Sequence, residues 1–207
     1  MFVIVDLKNA IQEAKILEKM TNIGARVPKF YEFWIEGKKI AIKMEHCSST
    51  LAKQMKQRKN LTRAYQELEI LRIMFDIILA LYQLHSLNYA HMDVKPENIL
   101  ITNREESLRY KEGSNLQGSA DRSASRSHAY SCPNLTKHQE CDMLLLTDFG
   151  ISRSTIENSE YELLDGDSRY MAPEQKTFVK EKNLDNLKKA DIYAAGLIFM
   201  QLALGNF

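Results

Sequence analysis

The sequence predicts an α+β fold, and three stretches carry that prediction. Two β-rich runs flank Glu36-Gly37, an apolar helical period fills the span from Leu61 to Leu87, and a nearly uncharged run extends from Ile192 to Phe207. Strand and long-helix signals in one chain of 207 residues, enough to bury a real core, point to mixed rather than single-class architecture.

The elements follow in order. From Asn9 to Met20, "NAIQEAKILEKM" offers an Asn cap with Gln12 three residues on and Gly24 as a stop, which predicts a short helix. "KFYEFWIEGKKIAIKME" predicts a hairpin, with Ile40 and Ile42 alternating against Lys39, Ala41 and Lys43, and the second strand runs into "MEHCSSTL". Between Leu61 and Leu87, Ala64, Leu68, Leu71, Phe75, Ile78, Tyr82 and His85 recur at steps of four and three. Ile70, Met74, Ile77, Leu81 and Leu84 widen that stripe, so a mostly buried helix is expected. "HMDVKPEN" and a strand-like "ILIT" come next.

The composition then shifts. Residues 103–142 are rich in Ser, Arg, Asn and Gly and poor in aliphatics, the signature of a flexible insert that cannot bury enough to offset its ordering entropy. Within it "RSAS", Arg122 to Ser125, has the form of a basophilic phosphorylation site. "MLLLTDFG" resumes as a strand, a polar segment runs from Ile151 to Tyr170, and "KADIYAAGLIFMQLALG" predicts a helix opening at Asp191 and apolar nearly all round.

Bulk properties exclude several classes. With 28 basic residues against 27 acidic ones, no global field favours nucleic acid or anionic lipid. Cys47, Cys132 and Cys141 lack CxxC spacing and are odd in number, which argues against a disulfide framework or zinc site and for a reducing, intracellular location in cytoplasm or nucleus. The start "MFVIVDLKNA" has no basic n-region or small-residue cleavage site, and the run from Ile192 is shorter than the roughly 20 residues a bilayer needs.

The chemistry concentrates in "HMDVKPENIL", His91 to Leu100. Phosphoryl transfer needs a group to orient the attacking hydroxyl, a divalent cation on the phosphates and positive charge against their oxygens. Asp93 can accept the hydroxyl proton, Lys95 can lie against the transferred group, and Asn98 can offer a hard carbonyl oxygen to Mg²⁺, with Asp148 adding a carboxylate. Gly150 would leave the backbone free where an ordinary residue would be strained. Read singly, each of these residues has a structural explanation: a loop-capping carboxylate, a solvated charge, a turn-forming amide.

Together, "HMDVKPEN…DFG…MAPE…DIYAAG" resembles the eukaryotic protein-kinase catalytic domain, in order and nearly in register. The resemblance implies a bilobal fold: a partial N-lobe sheet with its αC helix and hinge at 1–47, and a mainly helical C-lobe at 48–207 carrying the insert. It implies ATP and Mg²⁺ as cofactors, Asp93 and Lys95 as catalytic residues, and Asn98 and Asp148 as metal ligands. Glu13 matches the glutamate of the N-lobe helix, with Ile16 and Leu17 turned to the same inner face. Met44 falls at the gatekeeper, and Glu45, His46 and Cys47 form the hinge that meets adenine. Glu174 and Asp191 match structural anchors.

Lys two residues after Asp93 is the serine/threonine pattern. Met92 in place of the usual Arg, "GDSRYMAPE" and the long insert resemble the Wee-type kinases that phosphorylate cyclin-dependent kinases. A monomer acting on a protein substrate, with neither nucleic acid nor membrane as partner, is the expectation. The eight glycines never form GxGxxG, and no "VAIK" strand precedes Glu13, Lys8 being only five residues upstream. With the end at Phe207, this reads as a chain truncated at both ends, whose last helix would expose its apolar face. The alternatives are an inactive pseudokinase scaffold and an interaction protein that binds through the insert.

Overall fold

The computed structural model describes residues 7–36, 39–103, 142–156, 166–176 and 184–205. Helix α1, Leu7–Asn22, buries Ala10, Ala14 and Leu17 along one stripe, with Ile16 and Met20 beside them. It stops at Gly24, which takes φ +67, while the Ala25 N–H donates to the Met20 carbonyl. The sequence places this helix correctly to within two residues at each end.

Strands β1 (Phe30–Glu36) and β2 (Lys39–Met44) form the expected antiparallel hairpin, with Ile35 opposite Ile40 and Glu36 opposite Lys39. The alternation is less clean than expected. Ala41 is buried together with Ile40, and Ile42 is half-buried. Tyr31 to Glu36 are exposed throughout, so β2 supplies the inner side of the hairpin.

Two short elements escaped the sequence reading. Strand β3, Ser49–Thr50, leads directly into helix α2, Leu51–Asn60, whose first turn is capped by the Thr50 Oγ1 accepting the Lys53 N–H at 3.2 Å. Only Leu51 and Met55 of α2 are buried, an i, i+4 pair too sparse to register against four cations. The Arg58 guanidinium lies 4.0 Å from the Tyr65 ring centroid and forks onto Glu69 at 2.7 and 2.9 Å, tying α2 to the next helix.

That next helix, α3, runs Glu67–Ser86, not from Leu61. Thr62 sits in the left-handed region at φ +50, and the Gln66 N–H donates to the Glu69 carboxylate at 2.9 Å, so the helix is nucleated there. The expected burial is also corrected. Leu68, Leu71, Phe75, Ile78 and Tyr82 are exposed, and the buried stripe is Ile70, Ile73, Ile77, Ala80, Leu81 and Leu84. Both stripes have helical spacing, and only the elements packed against α3 select between them.

Strand β4 (Tyr89–Ala90) pairs with β7 (Arg153–Ser154), and β5 (Ile99–Asn103) stands between β3 and β6 (Asp142–Leu146). Asn103 pairs with Asp142, so the polar insert leaves and re-enters at one end of a closed ladder. Residues 104–141, and with them "RSAS", lie outside the described residues. Helix α4 spans Leu184–Leu204 and therefore begins seven residues before the expected Asp191. Its opening is polar, which hid it, and Asp191 is a buried mid-helix residue. Ile192, Tyr193, Phe199, Met200 and Leu204 are exposed on α4. The core joins Ile16, Leu17, Leu81, Leu84, Ile99, Leu146, Phe149 and Ile198, and so links the β3–β5–β6 sheet with helices α1, α3 and α4.

Candidate active site

The loop between β4 and β5 is anchored from below. The Asp191 carboxylate accepts the main-chain N–H groups of His91 at 2.7 Å and Met92 at 2.9 Å, and its Oδ2 lies 2.8 Å from His85 Nε2. Three polar partners satisfy a buried charge that would otherwise be costly. His91 is wholly buried; Asp93 N–H donates to its Nδ1 at 3.3 Å, which leaves Nε2 to donate to the Thr147 carbonyl at 3.0 Å. Its ring meets Phe149 edge-on at 5.2 Å between centroids.

This framework shapes the functional residues. Met92 is held at φ +72, and Lys95 is extended before Pro96, as a pre-proline residue prefers. Pro96 opens a 3-10 turn, Pro96–Asn98, that presents Asn98 back toward Asp93. The Asp93 carboxylate then collects three donors: Lys95 Nζ at 2.6 Å, Asn98 Nδ2 at 3.0 Å and the Asp167 main-chain N–H at 3.0 Å. Asn98 Nδ2 also reaches the Asp93 carbonyl at 2.9 Å, so its amide nitrogen is committed and its carbonyl oxygen is the group left for a cation. Burial pulls the Lys95 ammonium down, but the Asp93 hydrogen bond and the charges of Asp93, Asp167 and Asp148 outweigh it and hold it above its ordinary range.

Asp148 follows β6 at φ +67 with its side chain exposed, while Phe149 beside it is fully buried. A non-glycine residue in that conformation is strained, and strain of this kind collects at functional positions. The strain falls on Asp148 and not on Gly150, whose backbone is outside the left-handed region, so the expected reason for that glycine is corrected. Glu13, on α1, is half-buried and pushed up to about 7, first by burial and then by the Asp148 charge. The sequence-expected Glu13 and Asp148 thus share one electrostatic environment, as do Asp93, Lys95 and Asn98. Met44 ends β2, and Glu45, His46 and Cys47 begin its connection to β3. Met44 pairs with Phe30, the Glu45 N–H donates to the Lys29 carbonyl at 2.8 Å, and burial pushes the Cys47 thiol up to about 12.

Sequence reasoning assigned no role to His91, Ser152, Asp167 or Arg169. Ser152 Oγ donates to the His91 carbonyl at 3.3 Å, and Gln12 Nε2 donates to the Ser152 carbonyl, so α1 is tied to the segment after Phe149. Such links span 61 and 140 residues, and no local pattern announces them.

A buried aspartate is clasped by a lysine and an asparagine within one loop, and an aspartate with left-handed backbone at the end of β6 acts electrostatically on that lysine and on Glu13; these are the residue types that phosphoryl transfer requires. Comparison with known proteins agrees: the family model for the protein kinase domain matches residues 4–207, and the chain belongs to that family. Among curated relatives, Wee1-like protein kinase 2 of Sus scrofa is 28% identical over 172 residues, 83% of this chain and 27% of the relative. Wee1-like protein kinase of Arabidopsis thaliana is 25% identical over 199 residues, 96% of this chain and 30% of the relative. The membrane-associated tyrosine- and threonine-specific cdc2-inhibitory kinase wee-1.3 of Caenorhabditis briggsae is 27% identical over 184 residues, 84% of this chain and 20% of the relative. The chain therefore spans less than a third of the length of these relatives. Among the described residues no helix is long and apolar enough to cross a membrane.

Proposed function

We propose that the chain is the catalytic part of an ATP- and Mg²⁺-dependent kinase that phosphorylates Ser or Thr, with Tyr as the alternative acceptor, on an intracellular protein in the cytoplasm or nucleus. The observation that carries this reading is the Asp93 carboxylate, buried yet held by Lys95, Asn98 and the Asp167 amide. A carboxylate oriented by three donors is positioned to accept the proton of a substrate hydroxyl. Lys95 carries positive charge beside it, where charge develops on the transferred group. The donors that would hold a magnesium ion are hard oxygens, the Asn98 carbonyl and the Asp148 carboxylate, beside a Lys95 on which the charges of Asp93, Asp167 and Asp148 all act. When bound, that ion neutralises phosphate charge. Glu13 would face the nucleotide from α1, and Met44 to Cys47 would border the adenine. Residues 1–47 then serve as N-lobe and hinge and 48–207 as C-lobe.

The likeness to relatives whose names specify Wee1 or cdc2 inhibition supports a cyclin-dependent kinase as substrate. The test is phosphate transfer by the full-length protein with and without Asp93→Asn. Loss of the general base lowers the rate by about 10²–10⁴-fold. Equal transfer by both proteins would leave the scaffold reading in its place.

A further inference from the structure

The segment 166–170 is fastened to the catalytic loop at three levels. Gly166 stands at φ +130, where a Cβ would fall 2.9 Å from the Met92 carbonyl oxygen, so only glycine lets the two backbones approach this closely. Asp167 donates its main-chain N–H to Asp93 Oδ1 at 3.0 Å. The Asp167 side chain turns outward and is gripped by Arg169: Nε reaches Oδ1 at 3.0 Å, Nη2 reaches Oδ2 at 2.6 Å, and the Arg169 N–H also donates to Oδ1 at 3.0 Å. The same Nη2 extends to Glu97 Oε1 at 3.2 Å, inside the Pro96–Asn98 turn that presents Asn98. Arg169 also lies 5.5 Å from the Tyr170 ring centroid.

The geometry points to Arg169 as a positioning residue that, by bridging Asp167 to Glu97, holds the Asp167 amide on the Asp93 carboxylate without any phosphate. The inference rests on the kinase reading for its catalytic consequence, and on geometry alone for the latch. An exposed ion pair taken singly is worth little. Here the guanidinium forks onto one carboxylate, touches a second and borders an aromatic face, and both acids sit on segments whose separation it fixes. Arg169 holds the Asp167 carboxyl down at about 2, so the latch keeps its charges throughout the range in which a kinase works. A permanent guanidinium and carboxylate thereby take over the ordering role that a phosphate on the segment would otherwise play.

The test uses the full-length protein and two readouts. Amide exchange at Asp167 reports the latch directly, because an N–H released from Asp93 exchanges faster while α3 amides report the global fold. Arg169→Ala is expected to lower Asp167 protection at least about tenfold with α3 unchanged. It should lower kcat by about tenfold with KM for ATP within twofold, since a displaced base harms the transition state and not nucleotide binding. Arg169→Lys, which keeps charge without the fork, should recover part of both. Should the Ala variant lose α3 protection, Arg169→Lys and Arg169→Gln carry the same comparison. Unchanged Asp167 exchange, or faster exchange with unchanged kcat, overturns the positioning role. Asp93→Asn is run beside them: equal transfer by it and the parent sinks the kinase reading instead, and exchange alone then decides the latch.

Discussion

Asp191 and His91, one hundred residues apart in sequence, are joined by a main-chain N–H to carboxylate bond of 2.7 Å, and the adjacent Met92 N–H adds a second at 2.9 Å. The helix α4 thereby carries the loop that holds Asp93. Replacing Asp191 by Ala orphans the buried His91 N–H, the half-buried Met92 N–H and the His85 ring, each costing about 1–3 kcal/mol. The expected loss is on the order of 3–5 kcal/mol, read by denaturant unfolding; a loss below about 1 kcal/mol would mean the anchor is dispensable.

Gly166→Ala tests the close approach to Met92. The substitution meets both a positive φ and a backbone oxygen 2.9 Å from the new Cβ. It should displace the segment at a cost of about 1–3 kcal/mol and reduce phosphate transfer, while Gly196→Ala, with nothing near its Cβ, should stabilise or leave the helix unchanged. The pair of variants is compared by melting temperature and by rate.

Glu13 makes stability depend on pH. Its carboxyl is raised from 4.5 to about 7 by burial and by Asp148. Between those values the folded chain keeps a proton that the unfolded chain has lost, so stability falls as pH rises from about 4.5 to about 7 and levels off above. The effect is on the order of 3 kcal/mol, at about 1.4 kcal/mol per tenfold. Unfolding of the parent and of Glu13→Gln without added divalent cation, at pH 4.5 and pH 7.5, should show a decline specific to the parent. Parallel curves would refute it.

Phosphorylation of the polar segment from Ile151 to Tyr170 should be unnecessary. Thr155 is held by its main-chain N–H on the Asn88 carbonyl at 2.7 Å, and Ser154 by the β4–β7 pairing, neither of which needs a phosphate; the Ser154 Oγ also accepts the exposed Ile156 N–H at 3.3 Å, which water can replace. Alanine at Ser154, Thr155 and Ser159 together is expected to keep the rate within tenfold, about 1.4 kcal/mol in the barrier. A larger loss in a phosphate-transfer assay would reject this. Ser159 lies outside the described residues.

By itself the sequence determined the α+β class, the α1 helix with its glycine stop, the hairpin, and the order of Asp93, Lys95, Asn98 and Asp148, because local spacing and turn chemistry encode those directly. It also showed that α3 is a helix. Which of two equally periodic stripes on α3 is buried, where α4 begins, and why Asp148 and not Gly150 carries the unusual backbone were decided by packing. The same holds for His91, Ser152, Asp167 and Arg169. Their importance lies in bonds to residues distant in the chain, and the Arg169–Glu97 contact spans 72 positions. Periodicity senses neighbours within a few residues, whereas such a bond exists only once the fold has brought its two ends together.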